Sequence, residues 1–156
     1  MTVTVRNFAE SDIAVFRNVV GQSIYELCAG FYSREQLDAW FSQYPDDTIY
    51  KKWLETRVLV VAVDVNQVVG FAQFHPEKAA IEAMHVLPEF TRRGIVHSIE
   101  ARAIQRGIHT VDVEASINAE QFYLRCGYTK LLDGTFKCKN GSELNSILLR
   151  KQLDVG

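Results

Sequence analysis

From Val86 to Gly107 the chain reads VLPEFTRRGIVHSIEARAIQRG. An apolar, strand-like segment ends at Val86-Leu87-Pro88, two arginines and a glycine follow (Arg92, Arg93, Gly94), and a helically patterned run begins. A helix start presents N–H groups without intrahelical partners and the positive end of the helix dipole, which together suit a phosphate. Gly94 lets the backbone approach such a ligand, and Arg92 and Arg93 can add charge-assisted hydrogen bonds. Solvated surface charge is the plainer explanation of a loop arginine pair. Neither familiar phosphate loop is present, since no G-x-x-x-x-G-K-[ST] occurs and no G-x-G-x-x-G follows a strand. ATP and dinucleotides are therefore poor candidates.

Other reactive side chains are scattered. Cys28, Cys126 and Cys138 are odd in number and widely spaced, which argues against a disulfide framework or a cysteine-rich zinc site. Cys126 could act as a nucleophile, but a lone cysteine near a helix end more often packs. The histidines at 75, 85, 97 and 109 form no HExxH or compact metal spacing, so no metal is expected.

These groups need elements to position them. Thr2-Val3-Thr4-Val5 alternates like a strand, and Ser11 and Asp12 offer N-cap chemistry to a helix whose buried stripe is Ile13, Phe16, Val20, Ile24 and Leu27. Ser33 and Gln36 can form a capping box for a second helix with the apolar face Leu37, Trp40, Phe41 and Tyr44. Pro45-Asp46-Asp47 reads as a turn, and 49–54 as a short helix. The texture then changes to β-branched runs. Val58–Val63 and Val68–Phe74 predict a hairpin around a turn at Asp64–Gln67, and Ala79–Val86 a third strand. Alternation puts Glu82, Met84 and Val86 on one face of that strand and Ile81, Ala83 and His85 on the other. A helix from about Gly94 would bury Ile95, Ile99 and Ala103 and stop at Gly107, and Thr110–Glu114 would follow as a strand parallel to its predecessor. A helical segment at Asn118–Arg125 and strands at Tyr128–Leu132 and Ser142–Arg150 complete the chain.

Composition limits the classes available. A chain of 156 residues suits one domain burying roughly 70% of its unfolded surface, here taken as residues 1–156. An apolar fraction of 47% with 23% charged residues is that of an ordinary globular protein. A net charge of −2 leaves no basic footprint, so no nucleic-acid partner is expected. No apolar run approaches the roughly 20 residues that span a bilayer, and MTVTVRNFAESD lacks the charge and apolar core of a signal peptide. The expectation is a cytoplasmic protein with no membrane partner.

With these elements in place, MHVLPEFTRRGIVHSIEARAI resembles motif A of the GNAT N-acetyltransferase superfamily, and VEASINAEQFYLRCGYTK resembles its motif B. The two stand in the family's order. The resemblance implies an α/β (α+β) fold: a mixed, mostly antiparallel sheet splayed between strands 4 and 5 and flanked by helices. It implies acetyl-CoA as cosubstrate, its pantetheine arm on the fourth strand near Met84 and Val86. The pyrophosphate would rest on the segment Arg92, Arg93, Gly94, Ile95, Val96 and His97, with Asn118 contacting the cofactor beyond the thioester and Tyr123 facing the sulfur as general acid. Thr91 stands where the family has Gln or Arg, and Val96 replaces its second Gly or Ala. A branched side chain there is expected to hold the pyrophosphate further out.

Acetyl transfer to an amine requires a neutral nucleophile, a polarised carbonyl and a proton for the departing thiolate. Glu82 is the chosen base, because its strand borders the implied cleft and it shares the Met84 and Val86 face. Asp112 and Glu114 are rivals, while His85 points the other way and is expected to pack. Tyr25, Phe31, Tyr32 and Trp40 could line an acceptor site, though core packing explains their spacing equally well. The reading is an acetyl-CoA-dependent N-acetyltransferase that acts by direct transfer on a primary amine, of a small molecule or a peptide. A noncatalytic acyl-CoA-binding or regulatory domain is the alternative, motivated by Thr91 and Val96. A homodimer is possible.

Overall fold

The computed structural model describes residues 3–44, 48–90 and 93–154, so the turn at 45–47, Thr91 and Arg92 lie outside the described residues. Strand β1 (Val3–Asn7) leads through a single 3-10 turn (Glu10–Asp12) into α1 (Ile13–Leu27), followed by α2 (Arg34–Phe41) and α3 (Thr48–Thr56). Then come β2 (Val58–Asp64), β3 (Gln67–His75), β4 (Ala80–Val86), α4 (Arg93–Gln105) and β5 (Thr110–Ser116). A 3-10 turn at Ile117–Ala119 precedes α5 (Glu120–Arg125), β6 (Thr129–Lys137) and β7 (Glu143–Gln152). The strands form one sheet in the order β1-β2-β3-β4-β5-β7-β6, antiparallel throughout except for β4 with β5. No helix among the described residues is long and apolar enough to cross a membrane.

Local chemistry explains most element ends. At α2 the Gln36 N–H donates to Ser33 Oγ at 3.1 Å and the Ser33 N–H donates to Gln36 Oε1 at 2.9 Å, the expected reciprocal box. The α4 helix closes at Gly107, whose φ of +76° lets Ile108 N–H reach Ala103 and Gly107 N–H reach Ile104, a Schellman stop. The start of α1 differs from expectation. Helical turning begins at Glu10, and the Asp12 carboxylate reaches back to the Ala9 N–H at 2.7 Å while gripping Arg6 at 2.8 and 2.9 Å. Burial pushes that carboxyl up, but the bonds from Arg6 and Ala9 outweigh it and hold it below its ordinary range.

The sheet carries a core on each face. Under α4 and α5 lie Val60, Val69, Phe74, Ile99, Val111 and Leu149; under α1 to α3 lie Phe16, Val20, Ile24, Tyr50 and Phe71. The closing strands run further than their sequence patterns, because β6 is an exposed edge with no apolar alternation to announce its length.

One irregularity moves a predicted site residue. The β3–β4 register pairs Gln73 with Ala83 and then Phe74 with Ile81, so Glu82 is an extra, bulged residue. Alternation reverses there. Ile81 joins the cluster of Val86 and Ile95, while Ala83 joins that of Phe16 and Phe71. Glu82 therefore does not share the Met84 and Val86 face; it bonds to Gln73 across the bulge, beside Ala83.

The β2–β3 hairpin turns on Val65 and Asn66, with φ of +45° and +65°, the sign that a type I′ turn demands at both central positions. Valine is a poor occupant of left-handed space, and Val65 is 87% exposed, so packing offers no compensation. Val65→Asn should stabilise the fold by about 1 kcal/mol, raising the urea midpoint without changing the slope of the transition.

Candidate active site

The site begins where β4 and β5 part. Among the described residues they pair through Ala80 with Asp112 and Ile81 with Val113, after which β4 has no strand partner on that side as far as Val86. The bulge at Glu82 follows these pairs at once and bends β4. Strand β5 stays paired to β7 over its whole length. Between the parted strands lies a cleft of about 690 Å³, bordered by Met84, Glu82, Gln73, Tyr123, Trp40 and Trp53 among others.

Tyr123 is 2% exposed, stacks edge-on against Tyr128 at 5.3 Å, and reaches the cleft from α5. Its carbonyl accepts from both Cys126 and Tyr128 N–H as the chain turns through Gly127 at φ +94°. Asn118 sits in the turn before α5, outside the residues that border the cleft, and its Oδ1 is buried with no hydrogen-bond partner among the described residues. That orphaned acceptor fits a ligand able to donate a hydrogen bond there. Cys126 does not border the cleft.

At α4 the predicted residues divide. Gly94 and His97 are exposed, and a Cβ on Gly94 would meet no atom within 4 Å. Ile95 and Val96 are 1% and 0% exposed and belong to the core under the helix. Val96 does not turn its branch to solvent but packs into the core beneath α4. The Arg92 expectation falls on an undescribed residue, and nothing is described of the Arg93 side chain. Met84 is half-buried along the cleft, whereas Val86 is buried in the core at 1% exposure and contributes no side chain to the cleft wall.

The carboxylates differ in their company. Glu82 Oε1 accepts from Arg57 Nε at 2.9 Å and from Gln73 Nε2 at 3.0 Å. Burial pushes its carboxyl up, but Gln73 and Arg57 together hold it below its ordinary range. Asp112 is paired with Arg150 at 2.6 and 3.1 Å. Glu114 accepts from Ser146 Oγ at 2.6 Å and has no cationic partner among the described residues. His85 is buried as expected, its Nε2 bonded to the Tyr44 hydroxyl at 2.8 Å with the Trp40 ring 5.7 Å away, but the bulge puts it on the same side as Glu82 rather than opposite, and it borders the cleft.

Of the four aromatic residues read as candidate lining, Tyr32 and Trp40 border the cleft. Tyr25 bonds instead to Asp38 beneath Arg34, and Phe31 is 53% exposed away from the cleft. Sequence reasoning missed Gln73, Arg57, Tyr44 and Trp53 as cleft residues. The available signal was an amide flanked by Ala72 and Phe74 inside an apolar strand. Tyr32 has a further part. The β5–β7 ladder ends at Ser116 with Ser146, and the next rung would join Ile117 to Asn145. The Tyr32 hydroxyl occupies that rung, accepting from Ile117 N–H at 2.9 Å and donating to Asn145 C=O at 2.6 Å. It fixes the backbone immediately before Asn118.

The family model described as Acetyltransferase (GNAT) domain matches residues 28–145. The chain belongs to the GNAT acetyltransferase family. Among solved structures it is similar to the GCN5-related N-acetyltransferase of Rhodopseudomonas palustris, with 28% identity, a TM-score of 0.90, and coverage of 98% of this chain and 97% of that one. PaiA N-acetyltransferase from Thermoplasma acidophilum, in complex with coenzyme A, shares the fold at 15% identity and TM-score 0.79, covering 97% of this chain and 99% of that one. YncA of Salmonella typhimurium, with acetyl-CoA, does so at 19% identity and TM-score 0.66, covering 99% and 95% respectively. No curated protein sequence matches the chain. In this GNAT domain the Tyr32 hydroxyl ties the end of β5 to β7 one step beyond their last rung. Tyr32→Phe keeps the ring but strands Ile117 N–H and Asn145 C=O, and should cost about 1–3 kcal/mol in urea denaturation.

Proposed function

We propose that this GNAT domain transfers acetyl from acetyl-CoA directly to a primary amine. The observation carrying the reading is the parting of β4 from β5 after two residue pairs, which leaves β4 backbone free along a cleft bordered by both Glu82 and Tyr123. An acyl chain can take up those free backbone groups as a strand would. The coenzyme A and acetyl-CoA in the structures of PaiA and YncA support the choice of donor.

The residues fit such a donor. The N–H groups of the first turn of α4, around Arg93, Gly94, Ile95 and Val96, would hold the pyrophosphate, with Arg92 and His97 at the margin. Buried Ile95 and Val96 side chains leave the exposed side of this turn to Gly94. The orphaned Asn118 Oδ1 would take a donor from the pantetheine arm, and the β4 backbone near Met84 and Val86 would pair with that arm. The placement of Val96 in the core removes one of the two reasons for a noncatalytic reading.

In the transfer, an ammonium acceptor loses one proton, its nitrogen forms the bond to the thioester carbon, and the carbon–sulfur bond breaks. Tyr123 gives its hydroxyl proton to the departing thiolate and recovers one from the nitrogen, so the products are an amide, free thiol and one proton. Glu82, held ionised by Arg57 and Gln73, is a weak base suited to receiving a proton and passing it to water.

Thiol release from acetyl-CoA with a panel of primary amines tests the activity. Tyr123→Phe should lower kcat by about a hundredfold or more, with acetyl-CoA affinity unchanged; an unaltered kcat removes the acid role. Gly94→Asp should weaken coenzyme A binding in calorimetry at least about tenfold through charge, while Gly94→Ala, whose Cβ meets open space, should not.

A further inference from the structure

We infer that Gln73 and Glu82 together seat the nucleophilic nitrogen by accepting the two N–H groups of its neutral form, one of which is given up as the amide forms, which makes the acceptor an unhindered primary amine; this rests on the transfer reading above. Gln73 is 5% exposed in the middle of β3, between Ala72 and Phe74, and it borders the cleft. A side-chain amide so deeply placed is ordinarily satisfied at both ends. Here only one end is. Its Nε2 donates to Glu82 Oε1 at 3.0 Å, and its Oε1 is buried without a partner among the described residues.

The identity of the orphaned atom follows from its neighbour. Reversing the amide would turn its oxygen against the carboxylate, so the end fixed on Glu82 must be the nitrogen. The free end is then an acceptor. Glu82 contributes a second one, because Arg57 and Gln73 both bond to its Oε1, while its Oε2 accepts from none of the described residues. The bulge at Glu82 puts carboxylate and amide side by side.

Two adjoining acceptors match a neutral primary amine, which has two N–H donors and one lone pair. With both N–H groups held, the direction of the lone pair is fixed, and it is the lone pair that attacks. A secondary amine has one N–H in its reactive form and leaves one acceptor empty; an alcohol does the same. The seat therefore reads donors at nitrogen. Since the amide oxygen carries no charge and Arg57 offsets Glu82, the seat does this without two bare carboxylates locking the amine in its protonated form.

The experiment takes the amine with the largest kcat/KM in a panel of primary alkylamines and arylalkylamines, together with its N-methyl counterpart, on wild type and Gln73→Met. Methionine keeps the length and removes both polar atoms. The expected result for Gln73→Met is a rise in the KM of the primary amine of at least about tenfold, with the KM of acetyl-CoA unchanged. Wild type should prefer the primary amine to its N-methyl form by at least about tenfold in kcat/KM, and the variant should lose that preference. An unchanged amine KM, or an equal rise in the KM of acetyl-CoA, overturns the inference and leaves the transfer reading standing. Thiol release with no primary amine at all overturns both. If Gln73→Met does not fold, the wild-type comparison decides alone: equal kcat/KM for the two amines rejects the seat.

Discussion

The backbone of β4 can pair with β3 or with both neighbours, and everything at the site follows from its pairing with β5 ending after two residues. Unpaired main-chain groups are tolerated only where water or a ligand can reach them. A gap between adjacent strands of one sheet would ordinarily close, since each rung recovered is favourable. Here the flanks prevent it. Strand β5 is committed to β7 from Thr110 to Ser116, β4 is committed to β3, and the bulge at Glu82 bends β4 at the point of departure. Tyr32 extends the restraint beyond the last β5–β7 rung, so the chain entering α5 starts from a fixed place.

The same bulge divides labour along one short strand. Before it, Ile81 packs in the core beneath α4; after it, Ala83 and His85 face α1 to α3 while Met84 and Val86 face α4. A strand without the extra residue would send Glu82 to the same side as Met84 and Val86, toward the α4 core. An ionised carboxylate there would have no Arg57 or Gln73 to meet. The irregularity is what lets a charged residue occupy the middle of a sheet whose two faces are both buried.

How much of this was legible in the sequence depends on how local the signal is. The Ser33 and Gln36 box, the Gly107 stop and the helical stripe of α1 are set by residues within a turn of one another, and each is observed. The order of the elements and the two motifs pointed to the splayed sheet. The bulge was not legible, because alternation in IEAMHV counts residues along one strand, whereas a bulge is defined by the register against another. For the same reason the burial of Val96 was not legible: it depends on how α4 lies against β2 and β3. Arg57 and Gln73 escaped notice because what makes them matter is a carboxylate 25 and 9 positions further along the chain, respectively.

The charges around the cleft show why partial compensation suits amine chemistry. Each bare carboxylate near an amine favours its ammonium form and so depletes the nucleophile. A site that gathered Glu82, Asp112 and Glu114 without partners would bind cations well and acetylate them slowly. Instead Asp112 is paired with Arg150, Glu82 with Arg57, and Glu114 accepts from the Ser146 hydroxyl, with no cationic partner among the described residues. The uncharged acceptors Gln73 Oε1, beside Glu82, and Asn118 Oδ1, in the turn before α5, are buried without partners among the described residues, and neither carries a charge that would favour an ammonium.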